Sequence, residues 1–151
     1  MKFLDFLIDR LNETTLIEMA YERKTAINKV RGVQSQIASH LIKLYAFDDI
    51  AKEHWISEID TWMQIADDIG IKPNNKKLSG DMYYQLLWEE PLNNGVAFIT
   101  RVINKLKKGQ YASCKRSTLS DAQIYEQIEK LLHTISYDMA NNKFMTFRDY
   151  I

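Results

Sequence analysis

A chain of 151 residues, 46% hydrophobic and 26% charged, is long enough to bury one core and reads as a soluble domain. Its 20 Lys and Arg balance 20 Asp and Glu, so the total charge favours neither a polyanion nor a polycation as partner. The single Cys114 excludes an internal disulfide framework and points to the reducing cytoplasm, while five Gly and two Pro argue against a turn-rich β-sandwich.

The opening run from Met1 to Arg10 is apolar but interrupted by Asp5 and Asp9, and it lacks a small-residue cleavage site, which argues against a signal peptide. No stretch approaches the roughly 18 apolar residues of a membrane span. Phe3, Leu4, Leu7, Ile8 and Leu11 form a helical stripe, and Asn12, Thr14 and Thr15 then offer a break. A second helix runs to about Val30, where Gly32 ends or bends it, and Val33, Ile37, Leu41 and Leu44 mark a third that is separate from it or continuous with it. Asp48 or Asp49 caps a fourth, whose seam is Ala51, Trp55, Ile59, Trp62, Ala66 and Ile69, with Gly70 as its C′ residue and Pro73 beyond.

Asn74 to Ser79 reads as a polar loop, and Ser79 caps a short fifth helix that ends near Pro91. Asn93-Asn94-Gly95 turns the chain into a sixth helix, closed by Gly109. Ser120-Asp121-Ala122-Gln123 fits a capping box and opens a last helix with Ile124, Ile128, Leu131, Ile135 and Met139 inward. Internal repeats, dividing linkers and the Val, Ile and Thr runs of a sheet are missing. The expectation is a single-domain, all-α bundle of five to seven helices over residues 1–151, with an apolar tail at 143–151.

Within the zero total, charge is segregated. Residues 91–120 carry Arg101, Lys105, Lys107, Lys108, Lys115 and Arg116 and no acid; residues 48–68 carry seven acids against Lys52. At about 100° per residue, Arg101, Lys105 and Lys108 share one face of the sixth helix, opposite Ile99, Val102, Ile103 and Leu106, and Lys115 and Arg116 extend that stripe with Tyr111 between. Asp49, Glu53, Asp60 and Asp67 form an acidic stripe outside the Trp seam of the fourth helix. Both stripes suit a solvated face or a charged partner, and an outward acidic stripe does not suit an inward-facing di-metal site. They can also pack on each other within the fold.

Phosphate-binding Gly loops, CxxC pairs and HExxH are absent from the sequence. His40 borders a seam, while His54 and His133 point away from theirs, so neither a metal site nor a catalytic set is expected and no cofactor is implied. Lys115 and Arg116 beside Cys114 would lower its pKa, but no base adjoins it in sequence. In the tail, Phe144, Phe147 and Tyr150 are too apolar for an idle terminus: they cap their own bundle or dock on a partner or a second copy.

Leu16-Ile17-Glu18, His40-Leu41-Ile42-Lys43, Trp55 with Ile59, and Pro73 with Leu78 follow one another in a familiar order. Over about residues 16–78 this resembles a bacterial all-helical family known as domain of unknown function number twenty-nine. The resemblance implies an all-α fold and no activity. The sequence thus predicts a cytoplasmic, non-enzymatic interaction module: an adaptor, an inhibitor or immunity-type protein, or a small subunit, bound to another protein or to a second copy and not to a membrane. The alternatives are nucleic-acid binding through residues 101–116 and a metal-dependent hydrolase built on the histidines.

Overall fold

The computed structural model of the chain describes residues 19–49, 51–71, 77–88 and 95–151, with residues 19–27 and Ile71 described by backbone alone. The expected Phe3–Leu11 helix, the Asn12–Thr15 break, Leu16 to Glu18, Pro73 and the Asn93-Asn94 turn lie outside these segments. Five helices carry the described chain: α1 (Met19–Ala46), α2 (Lys52–Ile71), α3 (Gly80–Leu87), α4 (Gly95–Lys107) and α5 (Asp121–Ala140). Two short strands, β1 (Phe47–Asp48) and β2 (Lys115–Arg116), pair antiparallel with Phe47 opposite Arg116 and Asp48 opposite Lys115. A 3-10 turn at Phe147–Tyr150 follows α5. The fold is all-α, and no helix among the described residues is long and apolar enough to cross a membrane.

α1 packs on α2, α3, α4 and α5. Val30, Val33, Ile37, Leu41 and Ile42 recur at helical spacing, and all five are fully buried. The expected second and third helices are therefore one, and Gly32 does not end it. A glycine inside a helix costs about 1 kcal/mol relative to alanine. Burying each aliphatic side chain contributes roughly 1.5–3 kcal/mol, so packing prevails.

The last carbonyls of a helix need partners. At the end of α1 the basic strand provides them. Ser117 donates its N–H to the Ala46 carbonyl at 2.7 Å and its hydroxyl to that of Tyr45 at 2.6 Å, and Arg116 Nε reaches Ala46 O at 3.1 Å.

Asp49 opens α2 by accepting the Ala51 N–H at 2.8 Å. The buried side of α2 is Trp55, Ile56, Ile59, Met63, Ala66 and Ile69, with Trp62 and Ala51 only half-buried. In α5 the buried set likewise includes Leu132, and Leu131 stands at its edge. Both differences from the expected seams have one cause. The buried arc follows the four-residue steps Ile59–Met63 and Ile128–Leu132, not the three-residue steps to Trp62 and Leu131.

Gly70 is not a cap either, since α2 continues through Ile71. A Cβ at Gly70 would stand 2.2 Å from the Tyr83 hydroxyl oxygen, so the glycine admits a buried ring of α3. The serine caps expected at the starts of α3 and α5 form. Ser79 Oγ accepts the Met82 N–H at 3.3 Å, and Ser120 and Gln123 exchange the two bonds of a capping box at 3.2 and 2.8 Å.

Beyond the end of α5, Asn142 has a φ of 59°, in the left-handed region that Asn enters more readily than most residues. Lys143 N–H returns to the Asp138 carbonyl at 2.8 Å and Asn142 N–H to that of Met139 at 3.3 Å, the paired bonds of a Schellman cap. The chain then folds back onto α2, burying Phe144 and Phe147. Tyr150 stacks on Phe144 at 6.0 Å and donates its hydroxyl to Asp138 Oδ2 at 2.6 Å.

Fully buried Phe147 anchors this segment, whereas Met145 is 70% exposed. Phe147→Ala is expected to lower stability in urea unfolding by about 3–5 kcal/mol. Met145→Ala should stay within about 0.5 kcal/mol. Equal effects of the two substitutions would show that Phe147 does not hold the segment.

Candidate functional site

The acidic stripe on α2 is occupied from within the chain. Asp60 Oδ1 accepts the backbone N–H of Phe147 at 2.8 Å, and Gln64 Nε2, one turn on, donates to the Met145 carbonyl at 2.6 Å. Glu53 pairs with Arg148. That pair is exposed and contributes below about 1 kcal/mol, so it orients the segment more than it holds it. Asp67 accepts from Lys77 Nζ at 3.0 Å and from the Tyr83 hydroxyl at 3.4 Å, while Lys77 also reaches the Met139 carbonyl at 2.9 Å. Asp49 holds Ala51 N–H with one oxygen and accepts from Cys114 Sγ at 3.3 Å with the other. The tail thus folds back on its own bundle: its turn meets the acidic stripe at Asp60 and Glu53, while Tyr150 is tied to Asp138 of α5.

The basic residues divide into two groups. Arg116 serves the fold, bonding the Ala46 and Leu119 carbonyls and, at 3.3 Å, the Asp121 carboxylate, whose other oxygen accepts from Thr100 at 2.6 Å. Lys107 does the same, spanning the turn to the carbonyls of Ala112 and Cys114. Lys115 is exposed on β2, across from Asp48. Arg101, Lys105 and Lys108 stand apart from them on the outer face of α4. With Ala97, Thr100 and Asn104 they line a shallow groove, open to solvent, along that one helix face. All three are exposed, and none forms an ion pair with another described residue.

The expected extension of this stripe through Tyr111 to Lys115 and Arg116 does not form. Tyr111 is half-buried, stacked on Phe47 at 6.0 Å, edge-on to Trp55 at 6.1 Å and under Lys43 Nζ at 4.9 Å, so its ring is no platform for a base. Thr100, Asn104 and Ala97 were legible as members of the face that carries Arg101 and Lys105, being three and four residues apart, but without charge they gave no signal of their own.

Among the described residues no group of three His, Cys, Asp or Glu is placed to hold a metal ion. His54 is exposed, and His133, also exposed, stacks on Tyr84 at 3.9 Å, joining α5 to α3. His40 is half-buried, with Nδ1 at 2.7 Å from the Gln36 carbonyl. Burial lowers its pKa below the ordinary 6.5; the Gln36 bond and Glu58 oppose this, and Lys43 and His54 add to it.

Cys114 reverses the expectation from its neighbours in sequence. Burial and the Asp49 carboxylate push its pKa up, and Lys107 pulls the other way. Arg116 is turned to backbone carbonyls and Asp121, so the resting form is a thiol that donates to Asp49.

No protein-family model, curated protein or solved structure matches this chain. Its surface chemistry alone carries the functional reading.

Two titrations check these environments. The pH–rate profile for alkylation of Cys114 should have its midpoint above that of a free cysteine, and Asp49→Asn should move it down; an unmoved midpoint would mean that the carboxylate does not govern the thiol. For His40 the folded pKa lies below the unfolded one, so its contribution to stability is present above about pH 6.5 and is lost as pH falls through the folded value. The urea midpoint of the wild type should therefore fall more steeply from pH 7 to pH 5 than that of His40→Gln. Parallel curves would contradict the burial of this imidazole.

Proposed function

We propose that this protein is a non-enzymatic helical interaction module, an adaptor or small subunit of the cytoplasm, that holds an acidic partner on the outer face of α4. One observation carries the reading. Each carboxylate of the acidic stripe is engaged within the chain, Asp60 and Glu53 by the C-terminal segment, Asp67 by Lys77 and Asp49 by Ala51 and Cys114, whereas Arg101, Lys105 and Lys108 line an open groove and meet no carboxylate among the described residues. Three cations at one- and two-turn spacing attract anionic partners and set their register. Among the described residues no thiol, imidazole or carboxylate lines the groove with them, and Cys114, a thiol bonded to Asp49, sits in an environment that disfavours the thiolate.

Co-purification from the native host with wild-type and Lys105→Ala/Lys108→Ala baits tests the reading. Recovery of the specific partner should fall as salt rises. It should fall further, by about tenfold, for the variant, since two charge contacts at up to about 1 kcal/mol each are removed. Equal recovery by both baits would overturn the assignment of α4 as the working surface.

A further inference from the structure

The residues lining the α4 groove, Ala97, Thr100, Arg101, Asn104, Lys105 and Lys108, succeed one another at steps of three, one, three, one and three. This is the period of one whole helix face, the pattern with which a helix seats a second helix. Its N-terminal end is lined by small side chains. There the Thr100 hydroxyl is already engaged with Asp121 and the Val96 carbonyl, so a partner backbone can approach without stranding a donor. Toward the C-terminal end the groove is lined by Lys105 and Lys108, where cations also complement the helix dipole.

Resting on the α4 reading above, we infer that the occupant is an acidic amphipathic α-helix of another protein, with carboxylates at i, i+4 and i+7 facing Arg101, Lys105 and Lys108. Charge complementarity sets the sign, and the spacing of the cations sets the shape. Seven residues of helix span roughly 10 Å, and a second helix repeats charges at these same steps along one face. A nucleic acid fits less well. Proteins that grip a duplex commonly neutralise about six to ten phosphates, and here Lys107 and Arg116 are committed to backbone carbonyls. Stacking is not on offer either: Tyr111 is packed, and Phe98 lies half-buried against Trp88 with the Arg101 guanidinium over its ring.

The test measures binding of the full chain, by fluorescence anisotropy at low and moderate salt, to three probes. One is a helical peptide with Glu at i, i+4 and i+7. The second is an isomer of the same composition with its Glu distributed around the helix, and the third is a short duplex DNA. The striped peptide should bind at least about fivefold tighter than its isomer, with the preference lost in Lys105→Ala/Lys108→Ala and reduced in Arg101→Gln. These positions are exposed, and circular dichroism checks that the variants keep the fold. Equal affinity for the two peptides overturns the inference, as does tighter binding of the DNA, although either result leaves an anionic partner on α4. A wild type that dimerises where the double variant does not assigns the groove to a second copy and also overturns it. Failure of every probe to bind in a manner that depends on Lys105 and Lys108 takes the α4 reading down as well.

Discussion

α1 must bury an apolar face along most of its length, and the other described helices are arranged by that need. Val30, Val33, Ile37, Leu41 and Ile42 are covered by four neighbouring helices, of which α3 and α5 also pack extensively on each other. The same helix then presents its C-terminal carbonyls, which in an interior position need donors. Ser117 and Arg116 answer them, and in doing so fix where the chain between α4 and α5 must run. A requirement for hydrogen bonds at one helix end thereby builds Arg116 into the fold.

The two charge stripes meet unequal fates for a physical reason. A carboxylate can accept a backbone N–H as well as a cation, so Asp60 and Asp49 become attachment points for passing chain at Phe147 and Ala51. Ammonium and guanidinium groups can only donate, and they are drawn inward where a helix end or turn leaves a carbonyl free, as at Ala46, Ala112 and Cys114. The middle of a helix face offers no such carbonyl. Arg101 stands there, and it keeps its charge outward.

Helices were legible in the sequence because their cues are local: Ser79 and Ser120 act as caps within three residues of their partners. The all-α fold followed from the apolar period. Which residue of a pair such as Leu131 and Leu132 turns fully inward was not legible, because a neighbour's position rotates the buried arc. Gly70 carries the composition of a helix end, yet it answers a ring thirteen positions away in α3. Cys114 is the clearest case. Its adjacent Lys115 and Arg116 suggested a thiolate, and the group that governs it, Asp49, arrives from 65 residues earlier in the chain. The outward basic face was read correctly on α4 but not beyond its end, where regular spacing ceases to report direction.

Arg101 has a second neighbour with an optical consequence. Its guanidinium lies over the Phe98 ring at 5.8 Å, and that ring meets Trp88 edge-on at 5.7 Å. Trp88 is 2% exposed, and its indole N–H has no hydrogen-bond partner among the described residues. The α4 groove therefore has a native fluorophore one aromatic ring behind its wall. A single side chain separates Arg101 from Trp88, one of the chain's three tryptophans, which puts an intrinsic fluorophore within reach of changes at this surface.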